Sequence, residues 1–143
     1  MSLFSITYTS VRVGNLVVNE MVDLAERASA YNAVSDVTGF LCHIDGHYLQ
    51  TIEGEYEEVN RIYHVRIAPA QSHRDLRLIH LEVPVQRRFS QWNMGFANVT
   101  ASENERLRRY LPAGIAQPDR IVGVAALDLL QSLSTSSETL TLL

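Results

Sequence analysis

The chain has 143 residues, 46% of them hydrophobic, and a formal net charge of −4. It is long enough to bury one core, and it carries no basic footprint for nucleic acid or an anionic membrane surface. A single cysteine, Cys42, excludes an internal disulfide and fits a reducing compartment.

Residues 3–9 alternate and are rich in β-formers, which predicts a first strand with Phe4, Ile6 and Tyr8 on one face. No cleavage site or basic stretch precedes it, and no apolar run approaches the ~20 residues of a membrane span, so a cytoplasmic protein is expected. A helix is predicted from Asn19, as N-cap, to Tyr31 or Asn32, with Met21, Leu24, Ala25 and Ala28 as its buried stripe. Residues 37–53 read as a hairpin around Asp45-Gly46. A two-residue loop pairs Ile44 with His47, His43 with Tyr48 and Leu41 with Gln50. Leu41, His43, Tyr48, Gln50 and Ile52 then share one face, and Phe40, Cys42, Ile44 and Leu49 the other, so both faces need cover.

Gly54 is expected to end this strand, and Glu55, Glu57 and Glu58 suit the first turn of a second helix. Val59, Ile62, Tyr63 and Ile67 give that helix its stripe. Residues 76–83 form a strand that stops at Pro84, and residues 88–99 a last strand with Trp92, Met94 and Phe96 on one face. Residues 102–111 read as a helix with a Ser102/Glu105 capping box, and residues 119–133 as another. The order β-α-β-β-α-β-β predicts an α+β, ferredoxin-like sandwich: a five-stranded mixed sheet, two helices on one face, the C-terminal helices on the other.

Gln50 is the residue that most needs a partner, because a primary amide in an apolar strand costs free energy when unpaired. Tyr8, Asn32, Gln50, Trp92 and Met94 all lie where the sheet and its two helices could bring them together. Such a slot suits a flat heteroaromatic with an amide-like edge. Taken singly, Tyr8 would be a strand-end phenol, Asn32 a helix C-cap, and Trp92 and Met94 ordinary core. His43 and His47 sit across a turn, where surface histidines are expected rather than metal ligands. The arginine clusters at Arg87-Arg88 and at Arg106, Arg108-Arg109 are expected to mark solvated faces, and Ser10 has no His-Asp partners for hydrolysis.

The segments Tyr8-Thr9-Ser10, Tyr31-Asn32-Ala33, Val37-Thr38-Gly39-Phe40-Leu41, Gly46-His47-Tyr48-Leu49-Gln50-Thr51-Ile52-Glu53-Gly54 and Phe89-Ser90-Gln91-Trp92-Asn93-Met94 resemble, in order and spacing, the BLUF family of flavin-binding blue-light sensors. The resemblance implies a non-enzymatic photoreceptor holding FAD, with FMN as the alternative. Tyr8 would donate an electron and proton, Gln50 would rearrange its hydrogen bonds, and Trp92 and Met94 would report the change. Asn32 would hold the pyrimidine edge, Leu24, Ala28, Leu41 and Tyr48 would line the ring, and Arg66 and His73 would sit near the ribityl and phosphate end. Tyr48 stands where the family usually has phenylalanine, Tyr31 where many members have asparagine or histidine, and Ser72 where an arginine often precedes the histidine.

The resemblance implies a sensor domain over residues 1–100, and the pattern beyond it predicts a helical extension over 101–134 that packs on the sheet and a flexible, Ser/Thr-rich tail over 135–143. The resemblance further implies a separate effector protein as partner and a homo-oligomer; the acidic balance disfavours nucleic acid or membrane as partners. A flavin-free interaction module on the same fold is the rival reading. A ferredoxin-like phosphatase would need an arginine-bearing phosphate loop near strand one, where Arg12 stands without glycine-rich context.

Overall fold

The computed structural model describes residues 2–15, 17–100, 104–136 and 139–140. The strands are β1 (Leu3–Arg12), β2 (Thr38–Ile44), β3 (His47–Glu55), β4 (His73–Glu82), β5 (Gly95–Val99) and the two-residue β6 (Thr139–Leu140). Their order is β4-β1-β3-β2-β5-β6, with β2 and β5 parallel and every other neighbouring pair antiparallel. The helices are α1 (Val18–Val34), α2 (Tyr56–Ile62), α3 (Glu105–Tyr110) and α4 (Gly123–Ser134). The five main strands make the expected mixed sheet of a ferredoxin-like α+β sandwich. No helix among the described residues is long and apolar enough to cross a membrane.

The β2–β3 hairpin takes the register its turn dictates, with Ile44 opposite His47, His43 opposite Tyr48 and Leu41 opposite Gln50. Asp45 and Gly46 both have positive φ, 46° and 85°, as a two-residue primed turn requires. Gly39 opposite Ile52 is a packing glycine, since a Cβ there would lie 2.3 Å from the Thr51 carbonyl oxygen. β3 runs one residue past Gly54, and β4 starts at His73, earlier than its apolar residues suggest, because that end pairs with Arg12 of β1.

Both sheet faces are covered. Ile6, Tyr8, Leu41, Tyr48, Ile52, Met94 and Phe96 form one core with Met21, Ala25 and Ala28 of α1 and Val59 and Ile62 of α2. Phe40, Cys42, Ile44 and Leu49 form the other with Leu107 of α3 and Leu127, Leu129, Leu130 and Leu133 of α4. α4 approaches β4 closely enough that a Cβ on Gly123 would sit 2.2 Å from the Ile79 carbonyl oxygen.

Several boundaries differ from the sequence reading. α1 starts after Val17, which makes no side-chain cap bond, so Asn19 lies inside the first turn, and the helix continues to Val34. α2 passes into a π-turn over Tyr63–Ile67, closed by Ala68 N–H donating to the Tyr63 carbonyl at 2.8 Å. α3 is capped by Asn104, whose side chain accepts from Arg106 N–H; the expected cap Ser102 lies outside the described residues. A 3₁₀ turn at Pro118–Arg120 replaces the start of the last expected helix. Within the segment expected as a tail, Thr139 and Leu140 pair with Ala97 and Phe96.

The largest difference concerns the last strand, which begins at Gly95 rather than at residue 88. Glu53 causes it. Its fully buried carboxylate accepts from the backbone N–H of Phe89 at 2.7 Å and of Arg88 at 3.0 Å, and from Thr38 Oγ1 at 2.9 Å. Those N–H groups are therefore taken by a side chain and cannot join a ladder. Trp92 then turns back, its N–H bonded to the Phe89 carbonyl and its own carbonyl accepting from Gly39 N–H.

Candidate functional site

Register alone lines up a row of side chains on the face covered by α1 and α2. Leu78 is opposite Tyr8, Tyr8 opposite Gln50, Gln50 opposite Leu41, and Leu41 opposite Phe96. Cross-strand neighbours point the same way, so the phenol and the carboxamide meet. The Tyr8 hydroxyl donates to Gln50 Oε1, and Gln50 Nε2 donates to Met94 Sδ at 3.6 Å. Tyr8 is 1% exposed, and its pKa is raised well above the ordinary phenol value by burial and then by the neighbouring phenols Tyr31 and Tyr63. It is held as a neutral donor.

Tyr8, Gln50 and Leu41 of this row, with Tyr48, form one wall of a cleft of about 310 Å³, within the range of small-ligand sites. Leu24, Arg27, Ala28 and Tyr31 of α1 form the opposite wall. Arg66, Ile67 and Ala70, in and after the π-turn, close one end with Ser72, His73 and Ser10. π-turns widen a helix locally and recur at binding sites. The Arg66 guanidinium lies over the Tyr31 ring, 5.1 Å from its centre, which attracts cation to π-face and orients both. His73 donates from Nε2 to the Ile67 carbonyl at 2.8 Å and shares a hydrogen bond with Ser10 through Nδ1 at 2.8 Å.

Asn32 is fully buried near the end of α1. Its Nδ2 donates to the Asn93 carbonyl at 2.8 Å, while Asn93 Nδ2 donates to the Val37 carbonyl at 2.9 Å. Asn32 Oδ1 has no protein partner. It is a buried acceptor, a chemistry that the N–H of an amide-like edge can satisfy.

Of the residues singled out from sequence, Tyr8, Leu24, Ala28, Leu41, Tyr48, Gln50, Arg66 and His73 line the cleft. Met94 joins them through Gln50, and Asn32 is tied to the same loop through Asn93. Trp92 does not join them. It packs in the opposite core against Phe40, ring centres 5.8 Å apart, because residues 88–94 are not a strand and the alternation assumed for them does not apply. Sequence reasoning passed over Arg27, Ile67 and Ala70 as cleft residues. Arg27 could have been found, since it follows Leu24 by three on the same helix; Ala70 gives no signal.

The family profile described as "BLUF: Sensors of blue-light using FAD" matches residues 3–95. Photoactivated adenylate cyclase subunit beta of Euglena gracilis is 28% identical over 78% of this chain, and the matching region spans 12% of that relative's length. The solved structure of BlsA in its ground state superposes with a TM-score of 0.79 at 20% identity, over 96% of this chain and 91% of that one. The dark-state structure of BlrB, a BLUF protein, gives 0.69 at 24% identity, over 92% and 97%. The chain belongs to the BLUF family of blue-light sensors that use a flavin.

Proposed function

We propose that this BLUF chain is a blue-light receptor that holds FAD in the cleft and signals by rearranging the hydrogen bonds of Tyr8 and Gln50. The observation that carries the proposal is the relay Tyr8–Gln50–Met94 at the cleft wall; the unpaired Asn32 oxygen is a second support. A flavin fits these residues, because its pyrimidine edge offers the N–H that Asn32 Oδ1 lacks and its ring suits the apolar walls of Leu24, Ala28 and Leu41. FMN shares that ring, and FAD is preferred on the family's description.

When bound, the flavin supplies light absorption and, once excited, a strong one-electron oxidant. Tyr8 then serves as the source of an electron and a proton, being a phenol already directed at Gln50. Gln50 is the element with two states. Its oxygen now faces Tyr8 and its amino group faces Met94. Reversal presents the amino group to Tyr8 and an oxygen to the Met94 thioether, and two acceptors in contact repel. Met94 and the loop that carries it are thereby biased toward a second arrangement.

Residues 1–100 are the sensor and residues 101–134 its extension, whose helices α3 and α4 lie on the far sheet face. The output passes to a separate protein in the cytoplasm rather than to a catalytic site on this chain, and the receptor self-associates. The support for a regulated partner is that a relative is named as a photoactivated cyclase. Absorption spectra of the purified protein in darkness and under blue light test the reading. A small reversible red shift is expected; a colourless protein that cannot be reconstituted with FAD defeats it. Capture of partners in darkness and under blue light tests the output.

A further inference from the structure

Tyr48 precedes Gln50 by two residues on β3, so both side chains leave the same face. Tyr48 lines the cleft and is 5% exposed. Its hydroxyl oxygen is sealed from solvent and has no hydrogen-bond partner in the protein. The imidazole beside it cannot serve. The His43 ring packs edge-on at 5.5 Å, but its Nδ1 is bonded to Asn98 Oδ1 at 2.8 Å, and its Nε2 faces Arg12 Nη1 at 3.1 Å and Gly46 N–H at 3.2 Å. Burial raises the Tyr48 pKa, so the hydroxyl keeps its proton and remains a donor. A buried donor without an acceptor costs free energy that a hydrophobic ring of the same shape would not.

We infer that Tyr48 is a ligand-binding residue whose hydroxyl donates a hydrogen bond to an oxygen or nitrogen acceptor of the flavin held in the cleft. The inference rests on the flavin reading above. It assigns Tyr48 a directed polar contact where a phenyl ring would give only a wall. Tyr48 lies opposite Ser10, and Ser10 bonds His73, so the contact belongs to the end of the cleft that already gathers polar groups.

Tyr48→Phe separates this role from packing, because it should change two quantities in opposite senses. In the flavin-free full chain, removing the unpaired hydroxyl should raise the thermal midpoint. With FAD titrated back, the dissociation constant should rise about five- to tenfold, the loss of one hydrogen bond. Riboflavin, tested in parallel, shows whether the acceptor lies in the part common to both ligands. Equal FAD affinity of variant and parent would overturn the inference and leave the flavin reading intact. A lowered midpoint in the flavin-free variant would also overturn it, since the hydroxyl would then have a partner within the protein. Failure of the parent itself to bind FAD or riboflavin would instead defeat the flavin reading, and this contact with it.

Discussion

Met94 and Trp92, two residues apart, lie on opposite sides of the sheet. The Met94 sulfur is 3.6 Å from Gln50 Nε2 on the α1/α2 side, whereas the Trp92 ring packs on Phe40 among the residues under α4. The loop they share with Asn93 therefore spans both layers, with one end at the relay and the other in the opposite core.

This division gives Trp92 and Met94 different consequences. Trp92→Phe should cost about 0.5–3 kcal/mol of stability and leave flavin uptake unchanged, because the ring does not touch the cleft. Met94→Ala should instead alter the spectrum of the bound flavin by freeing the Gln50 amino group. Denaturant midpoints and absorption spectra of both variants check this; a loss of flavin uptake in Trp92→Phe would contradict the assignment of that ring to the far core.

Tyr8→Phe removes the donor to Gln50 Oε1 and leaves a buried carbonyl unpaired, for a cost of about 1–3 kcal/mol. Flavin should still bind, since the ring at position 8 and the other wall residues remain. The light-induced red shift should vanish. A difference spectrum with the parent's shift would remove Tyr8 from the relay.

Glu53 organises the loop from beneath. Glu53→Ala leaves the Arg88 and Phe89 N–H groups without their acceptor in a buried site, which should cost about 3–5 kcal/mol. Glu53→Gln should recover part of this. Its oxygen can still accept from Phe89 N–H, but its amino group would face Arg88 N–H, donor against donor. Urea titration of the three proteins gives the ranking directly, parent above Gln above Ala.

His43 links the hairpin end to β5 through Asn98. Burial is the main cause that lowers its pKa below the ordinary 6.5, with the Asn98 bond opposing. The folded form thus binds a proton less readily than the unfolded chain. The stability from neutral His43 is complete above 6.5 and is lost as pH falls from there through the lowered folded value. The thermal midpoint should drop as pH falls below about 6.5, and His43→Asn should flatten that slope. An unchanged slope would show that other groups govern it.

Much of the fold is legible from local chemistry. Asp45-Gly46 fixes the hairpin, and the hairpin fixes Gln50 opposite Leu41, because a two-residue turn leaves no freedom of register. The stripe Met21, Ala25, Ala28 shows which side of α1 is buried before any partner is known. Arg27 was legible only through its spacing from Leu24, and Ala70 was not legible as a cleft residue, since it reads as the end of a turn.

By itself the sequence determined the elements, the hairpin register and the faces of Tyr8, Leu41, Tyr48 and Gln50, all of which follow from the two- and 3.6-residue periods of the backbone. Tertiary structure alone decided where residues 84–94 go, which side receives Trp92, and that Asn32 Oδ1 and the Tyr48 hydroxyl end up buried without partners. These outcomes depend on groups distant in the chain. Glu53 draws Arg88 and Phe89 out of a ladder that their own local pattern would have formed, and no period in the sequence records such a long-range claim on a backbone N–H.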